Sequence, residues 1–527
     1  MKTLFYGGKI LTMDIPLYTD AVLVEDGKIT AVGRREELTK QAPDTVIDLD
    51  GKTMLPAFID AHSHFFQTAA SLLQAPLLGV KSVKDMQIRI DDYIAANGVK
   101  PGDWIISRDF DPSLMPDGKN PPLSDLDRLA PQNPLVIHHK SGHMGLFNSE
   151  ALRLLGAAES LKTAPWQGNG KIGTENGKLT GYMEENAFFY HLKKLPPQNS
   201  DDMLGAFERA QQKYLSYGIA SIQEGMFTSQ MLPFYKTLLK SKVLKTDITA
   251  YCEPSVYGTI KGELEVLNSR FHIGGMKIFL DGSPQGKTAW MRTPYIGDEK
   301  TGYRGYGTMT DNEVLTAMEL SAKEGCQLLA HCNGDAAAEQ FLNCLETAVE
   351  KYPIIRTLRP VIIHAQLIDA DQLERAKRLS AMVSFFSAHV YYWGDVHIKN
   401  FSLERAAKIS PAATALEHGV KFTMHQDAPV IEPDMIETIW CANSRITKTG
   451  QPLGRQERIS VYNAVRAVTV NAAYQYSKEN THGTISAGKQ ADFTVLDRNP
   501  LQTPAQRMRD ITVLQVYKDG ECVFSKK

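Results

Sequence analysis

From residue 202 onward the chain repeats one pattern, a short continuous apolar run followed by a helical segment of roughly 10–15 residues. Asp202–Tyr217 places Leu204, Phe207, Tyr214 and Leu215 on one helix face and closes at Gly218, and Ile219–Gln223 follows as a strand. Thr310-Asp311-Asn312-Glu313 is a capping box that opens a helix ending at Gly325. Gln327–Ala330 then runs as a strand to His331, with a helix from Asp335 to about Lys351. Val361–Ile363 runs to His364, a helix starts at Asp369, and Met382–Phe386, a helix around Leu403–His418 and Lys421–Met424 continue the series. Strands without a polar face must be covered on both sides, which helices crossing over a parallel sheet accomplish. The number of repeats favours an α/β fold of the (β/α)8 TIM barrel type over an open doubly wound sheet.

Both ends of the chain read differently. Thr3–Tyr6, Lys9–Met13, Ala21–Val24, Lys28–Val32 and Lys52–Leu55 are short strands separated by Gly7-Gly8, Asp26-Gly27 and Asp50-Gly51. Ala491–Leu496, Thr512–Tyr517 and Glu521–Phe524 repeat the style. Residues 1–55 and 480–527 are therefore expected to build one small β-sandwich domain, and residues 56–479 the barrel. Within the barrel, residues from about 65 to 200 keep no βα rhythm and carry long Pro/Gly/Asp loops, so they read as an insertion after the first barrel strand.

Apolar residues at 43% and charged residues at 22% are those of a globular chain. A net charge of −2 supplies no basic footprint for nucleic acid and no polybasic patch for a membrane surface. The start, MKTLFYGGKILTMD, lacks the apolar core of a signal peptide, and no run reaches the ~18 apolar residues of a membrane span, so a cytoplasmic protein is expected. The six cysteines have no CxxC spacing and read as reduced, mostly buried thiols.

His62 and His64 in FIDAHSHFF follow an apolar strand two residues apart, so on a strand their rings share a face and can take a common metal. Such a pair alone is as readily structural. His331 and His364 each end a strand, and Asp427 follows another. Barrel active sites collect residues from the carboxyl ends of several strands, and four imidazoles with a carboxylate suit zinc or a similar divalent ion. Lys277, in GGMKIFLDG at the start of an apolar strand, is by pattern a snorkelling surface residue. It could ligate only as a neutral amine or after CO2 converts it to a carbamate.

The chain resembles the amidohydrolase superfamily, and within it the large amidohydrolases similar to N-substituted formamide deformylase. The likeness runs through LVEDGKITAVG, LPAFIDAHSH, SGHMGLFNSEAL, MKIFLDGSPQGKTA, LLAHCNGDAAA, VIIHAQLID, TMHQDAPV and GTISAGKQADFTVLD. The resemblance implies a metal set of His62, His64, Lys277, His331, His364 and Asp427, around one or two divalent ions, with Lys277 carboxylated where two are present. It implies Asp427 and His331 as catalytic residues, a small-molecule substrate and a homo-oligomer. His143 falls where relatives carry a histidine in the inserted region and is a candidate substrate contact, although a satisfied loop histidine reads equally well. Where relatives often have Ser-x-Gln-Pro-x-His, this chain has Ser384-Phe385-Phe386-Ser387-Ala388-His389, followed by Tyr391, Tyr392 and Trp393. His389 and Trp393 are thus candidates for an aromatic substrate pocket, with ordinary packing as the alternative.

The chemistry that follows is hydrolysis of a C–N bond in an amide, formamide or cyclic amide. A non-catalytic regulatory or ligand-binding protein of the same fold is the competing reading, and a metal-dependent isomerase, lyase or esterase is a third.

Overall fold

Runs such as Ile-Ala-Ser-Ile-Gln-Glu and Val-Ile-Ile-His expose no consistent polar face, and the fold buries them. The computed structural model describes residues 1–140, 144–165, 170–196 and 199–526. Eight strands form one sheet in which neighbours in space are neighbours in sequence. They are β1 (Phe58–Ile59), β2 (Ile219–Phe227), β3 (Asp247–Cys252), β4 (Phe271–Phe279), β5 (Gln327–Cys332), β6 (Val361–His364), β7 (Met382–Phe385) and β8 (Phe422–Met424). Every pairing is parallel. Beyond the two outermost strands the chain meets itself: the Asp427 amide donates to the His62 carbonyl (3.3 Å) and the His64 amide to the Ala428 carbonyl (2.8 Å).

Helices Asp311–Glu324, Asp335–Lys351 and Ala370–Arg378 connect β4 through β7. The capping box of Thr310 and Glu313 is formed, and Gly325 ends that helix at φ +64°, where a Cβ would be strained. The single helix expected over 403–418 is instead two, His389–Ala406 and Ala412–Glu417. Ser402 at φ +74° interrupts the first, and Pro411, which has no amide to donate, starts the second. Lys277 stands near the end of its strand and not at the start, because β4 begins at Phe271 and passes through Gly274-Gly275 before reaching it.

The two termini share one eight-stranded sheet, ordered Glu521–Ser525, Val513–Lys518, Phe493–Leu496, Thr53–Pro56, Lys2–Leu11, Tyr18–Glu25 and Lys28–Gly33, with Thr45–Asp48 pairing on Lys2–Leu11. Phe5 packs edge-on against Phe493 and Tyr517, one aromatic from the N-terminal segment held by two from the C-terminal one.

The chain divides into two compact units, Met1–Thr68 with Phe207–Lys527, and Ala69–Ala206. The second has a six-stranded mixed sheet and its own core around Met86, Ile90, Ile105, Leu126 and Ile137. Its first strands pair in parallel and its last ones antiparallel, so no single βα rhythm runs through it. Among the described residues no helix is long and apolar enough to cross a membrane. Five cysteines are buried and Cys522 is exposed, none of them in a disulfide.

Candidate metal centre

Just past β1 the backbone turns, and the turn is pinned from three sides. The Asp60 carboxylate accepts from the Ser63 hydroxyl and the His62 amide, Tyr214 donates to Ser63 Oγ (3.0 Å), and Tyr476 donates to the Asp60 carbonyl (2.6 Å). His62 and His64 therefore reach a common point from a fixed turn, not from strand alternation. Their Nε2 atoms lie 3.5 and 3.3 Å from Asp427 Oδ1.

His364, the last residue of β6, holds φ +72°, and Asp427, three residues beyond β8, holds φ +55°. Left-handed backbone at a residue other than glycine costs of order 1–3 kcal/mol and persists only where its surroundings enforce it. Both strained residues face the same point: His364 Nε2 lies 3.9 Å from Asp427 Oδ2. One ligand atom from each of His62, His364 and Asp427 falls within 4.8 Å of the others, a spacing that could hold a metal ion. His331, next to last in β5, sets its ring 4.5 Å from that of His364, and its Nε2 lies 3.2 Å from the Gly282 carbonyl. Lys277, wholly buried, brings Nζ to 3.2 Å from His62 Nε2. The structure thus brings the other five expected ligand residues together with Asp427.

Burial sets the charges. It drives His62 and His364 well below the usual imidazole range and His331 to about 4, with the Lys277 ammonium adding to the effect at His62 and His331. All three are neutral at pH 7. Burial likewise lowers Lys277 to about 7. For Asp427 burial acts upward, but the imidazoles of His64, His364 and His62 prevail and hold it well below the usual carboxylate range. Asp427 Oδ1 is buried with no well-formed hydrogen bond, His64 Nε2 approaching it at 3.3 Å. An ionised carboxylate oxygen left without a well-placed donor is expensive unless a cation completes it. Neutral imidazoles around an ionised carboxylate are the protonation states that ligation of a divalent ion requires.

The other candidates are placed differently. His389 is buried, its Nδ1 3.1 Å from His397 Nε2 and its ring 4.5 Å from that of Trp393. Phe386 stands between this group and the centre, 4.6 Å from the His389 ring and 5.4 Å from that of His425. His143 lies outside the described residues. The sequence reading missed His425, whose Nε2 sits 3.1 Å from His364 Nδ1 while Ser384 meets its Nδ1 at 2.8 Å. It also missed Gln223, whose Oε1 is 2.6 Å from His62 Nδ1. The one available signal was spacing: His425 stands two residues before Asp427, as His62 does before His64.

Residues 45–524 match the model of the amidohydrolase family, and residues 21–44 that of an imidazolonepropionase-like composite domain of bacteria. The chain belongs to the amidohydrolase family. An N-substituted formamide deformylase of Arthrobacter pascens is 27% identical, over 95% of this chain and 94% of the relative. Protein LONG AFTER FAR-RED 3 of Arabidopsis thaliana is 28% identical, over 98% of this chain and 90% of its own. The crystal structure of an uncharacterized metal-dependent hydrolase from Pyrococcus horikoshii shares the fold, with a TM-score of 0.78 at 23% identity over 96% of this chain and 99% of that one. All six converging residues lie within the span that the amidohydrolase family model matches.

Proposed function

We propose that this amidohydrolase is a metal-dependent hydrolase of carbon–nitrogen bonds in a small amide, formamide or cyclic amide, with His62, His64, Lys277, His331, His364 and Asp427 holding one or two ions. The observation that carries the reading is the ionised Asp427 oxygen, with no well-formed hydrogen bond, facing neutral imidazoles. Nitrogen and oxygen donors of this kind suit zinc. When bound, a divalent ion polarises a carbonyl and lowers the pKa of a water it holds from 15.7 toward about 7.

The chain's own residues handle the protons. Asp427 accepts one at Oδ1 and delivers it to the departing nitrogen, because an amine leaves readily only once protonated. His331 Nε2 is engaged by the Gly282 carbonyl (3.2 Å) and the Asn333 amide (3.0 Å), so Nδ1 is the nitrogen that would ligate. Lys277 has a substantial neutral fraction near pH 7, so its Nζ can add to the carbon of CO2. An N–C bond forms, one Nζ proton leaves, and the resulting carbamate would offer two oxygens that share one negative charge as ligand atoms. With a single ion, Lys277 remains an amine outside the ligand set.

The sequential order of β1 to β8 and the contacts between their extensions support a closed (β/α)8 barrel over 56–479. On this reading residues 1–55 and 480–527 form a β-sandwich domain, and about 65–200 an insertion after β1. His389 and Trp393, with Phe386, give an aromatic wall suited to an apolar or ring-bearing substituent, and His143 is a further substrate contact. We take the enzyme to be cytoplasmic and, as barrels of this superfamily often are, homo-oligomeric. A purely regulatory relic would be expected to have lost a ligand, and all six positions are filled.

The test is turnover of a panel of amides and N-substituted formamides by the zinc-loaded protein and by Asp427→Asn, with bound metal measured alongside. Removing a general acid–base group typically lowers kcat by about 10²–10⁴-fold, and a loss in that range is expected. Full activity in Asp427→Asn would end the proton-carrying role, and a product without an added water would point to the isomerase or lyase alternative.

A further inference from the structure

An imidazole that ligates through one nitrogen leaves the other, and a buried N–H there needs an acceptor. At His62 the arrangement is complete. Gln223 Oε1 faces Nδ1 at 2.6 Å, and the amide cannot turn over, because its Nε2 donates to the Ala61 carbonyl (2.8 Å) and the Tyr476 hydroxyl (2.9 Å). That hydroxyl spends its own proton on the Asp60 carbonyl. His62 therefore carries its proton on Nδ1 and keeps the Nε2 lone pair toward Asp427 and Lys277.

At His64 one piece is unfilled: Nδ1 is buried with no partner. Glu224, next to Gln223 on β2, has the matching vacancy. Its Oε2 accepts from the Phe66 amide (2.7 Å) and the Tyr235 hydroxyl (2.6 Å), while Oε1 is buried with no partner. The backbone sets the two residues opposite each other in a single antiparallel bridge, and the Gly225 amide donates to the Ser63 carbonyl (2.7 Å), which clamps the rung. A buried donor and a buried acceptor, each without a partner on facing residues, are satisfied together by one proton.

We propose that Glu224 is the positioning residue of His64: its Oε1 accepts the Nδ1–H and so aims Nε2 into the metal centre. This rests on reading that centre as a metal site. Neighbouring residues of one strand would then serve the two histidines in parallel, a neutral amide for His62 and a carboxylate for His64. Glu224 touches neither substrate nor ion.

Glu224→Gln is the informative variant, because it keeps the shape while reversing the group that His64 meets. The Phe66 amide and Tyr235 hydroxyl claim the amide oxygen, which turns the NH2 toward Nδ1 and forces the proton to Nε2. Zinc affinity of the metal-free protein, measured by competition with a chromogenic chelator, is expected to fall about 10- to 100-fold. The absorption of the Co²⁺-substituted protein should change with it, while the unfolding midpoint of the metal-free form moves little. Tyr235→Phe removes one donor but leaves the carboxylate, so its zinc affinity should stay within about threefold of the parent. Wild-type affinity in Glu224→Gln, or an equal loss in both variants, would overturn the assignment. If the unmodified protein bound neither zinc nor cobalt, the metal reading itself would fall, and this inference with it.

Discussion

Lys277 is the residue where chemistry and environment disagree most, a side chain normally charged held wholly inside the protein with His62 and the Phe279 ring beside its nitrogen. Carbamylation would resolve the conflict by making the group an anionic ligand. Arginine cannot follow, since its guanidinium neither deprotonates nor adds CO2. If two ions bind, Lys277→Arg is therefore expected to lose at least one of them per chain and most of its turnover, read by metal analysis and kcat. An unchanged metal content with full turnover would remove Lys277 from the ligand set. Sequence revealed residues of this kind only where they interrupt an apolar strand at its end, as His331 and His364 do. Gln223 and Glu224 went unnoticed because polar residues inside a strand such as IASIQEGMF carry no mark of the distant histidines they face. His425 shares its segment, TMHQDAPV, with Asp427, and nothing in its own neighbours marks it as a partner of His364.

Among the elements, β4 shows how a strand's register serves the centre. Gly275 pairs with Gln327 and Lys277 with Leu329. A Cβ on Gly275 would lie 1.9 Å from the Gln327 carbonyl oxygen, on a backbone at φ +153°. Gly275→Ala must push β4 away from β5, and about 1–3 kcal/mol of destabilisation is expected from such overpacking, together with weaker metal retention. Gly33→Ala, where a Cβ meets nothing within 4 Å, serves as the neutral control. Urea midpoints that do not differ between the two would contradict this account of β4. Elements defined by local chemistry, such as the capped helix Asp311–Glu324, were readable from sequence. The break at Ser402 was not, because neither serine nor its neighbours announce a left-handed backbone.

For the molecule as a whole, burying many histidines without charge ties stability to pH. His331, His397 and His425 fall to about 4, 3 and 3, and His62, His364 and His389 well below the usual value of 6.5, burial being the first cause in each. Between those values and 6.5 the unfolded chain binds more protons than the folded one, so stability falls as pH drops below 6.5. Asp60 and Asp281, raised by burial from 3.8 to about 7, act oppositely: the folded form holds the extra protons between those values, and stability falls as pH rises through them. Burial also raises Glu224, Asp335 and Asp434, and also lowers His138, His139, His191 and His272, so the histidines still outnumber the acids. The metal-free protein should have a lower Tm at pH 5 than at pH 7, and a higher Tm at pH 5 would mean that the imidazoles are not buried as neutral bases.

The central claim is that histidines from distant parts of the chain and one aspartate surround a divalent ion. Its most direct test is the metal content of the zinc-equilibrated, desalted protein, by inductively coupled plasma mass spectrometry, against a double His62→Ala/His364→Ala variant that still folds. The account predicts one or two ions per chain in the parent and fewer than half as many in the variant. Equal metal in both, or none in a folded parent, would contradict it.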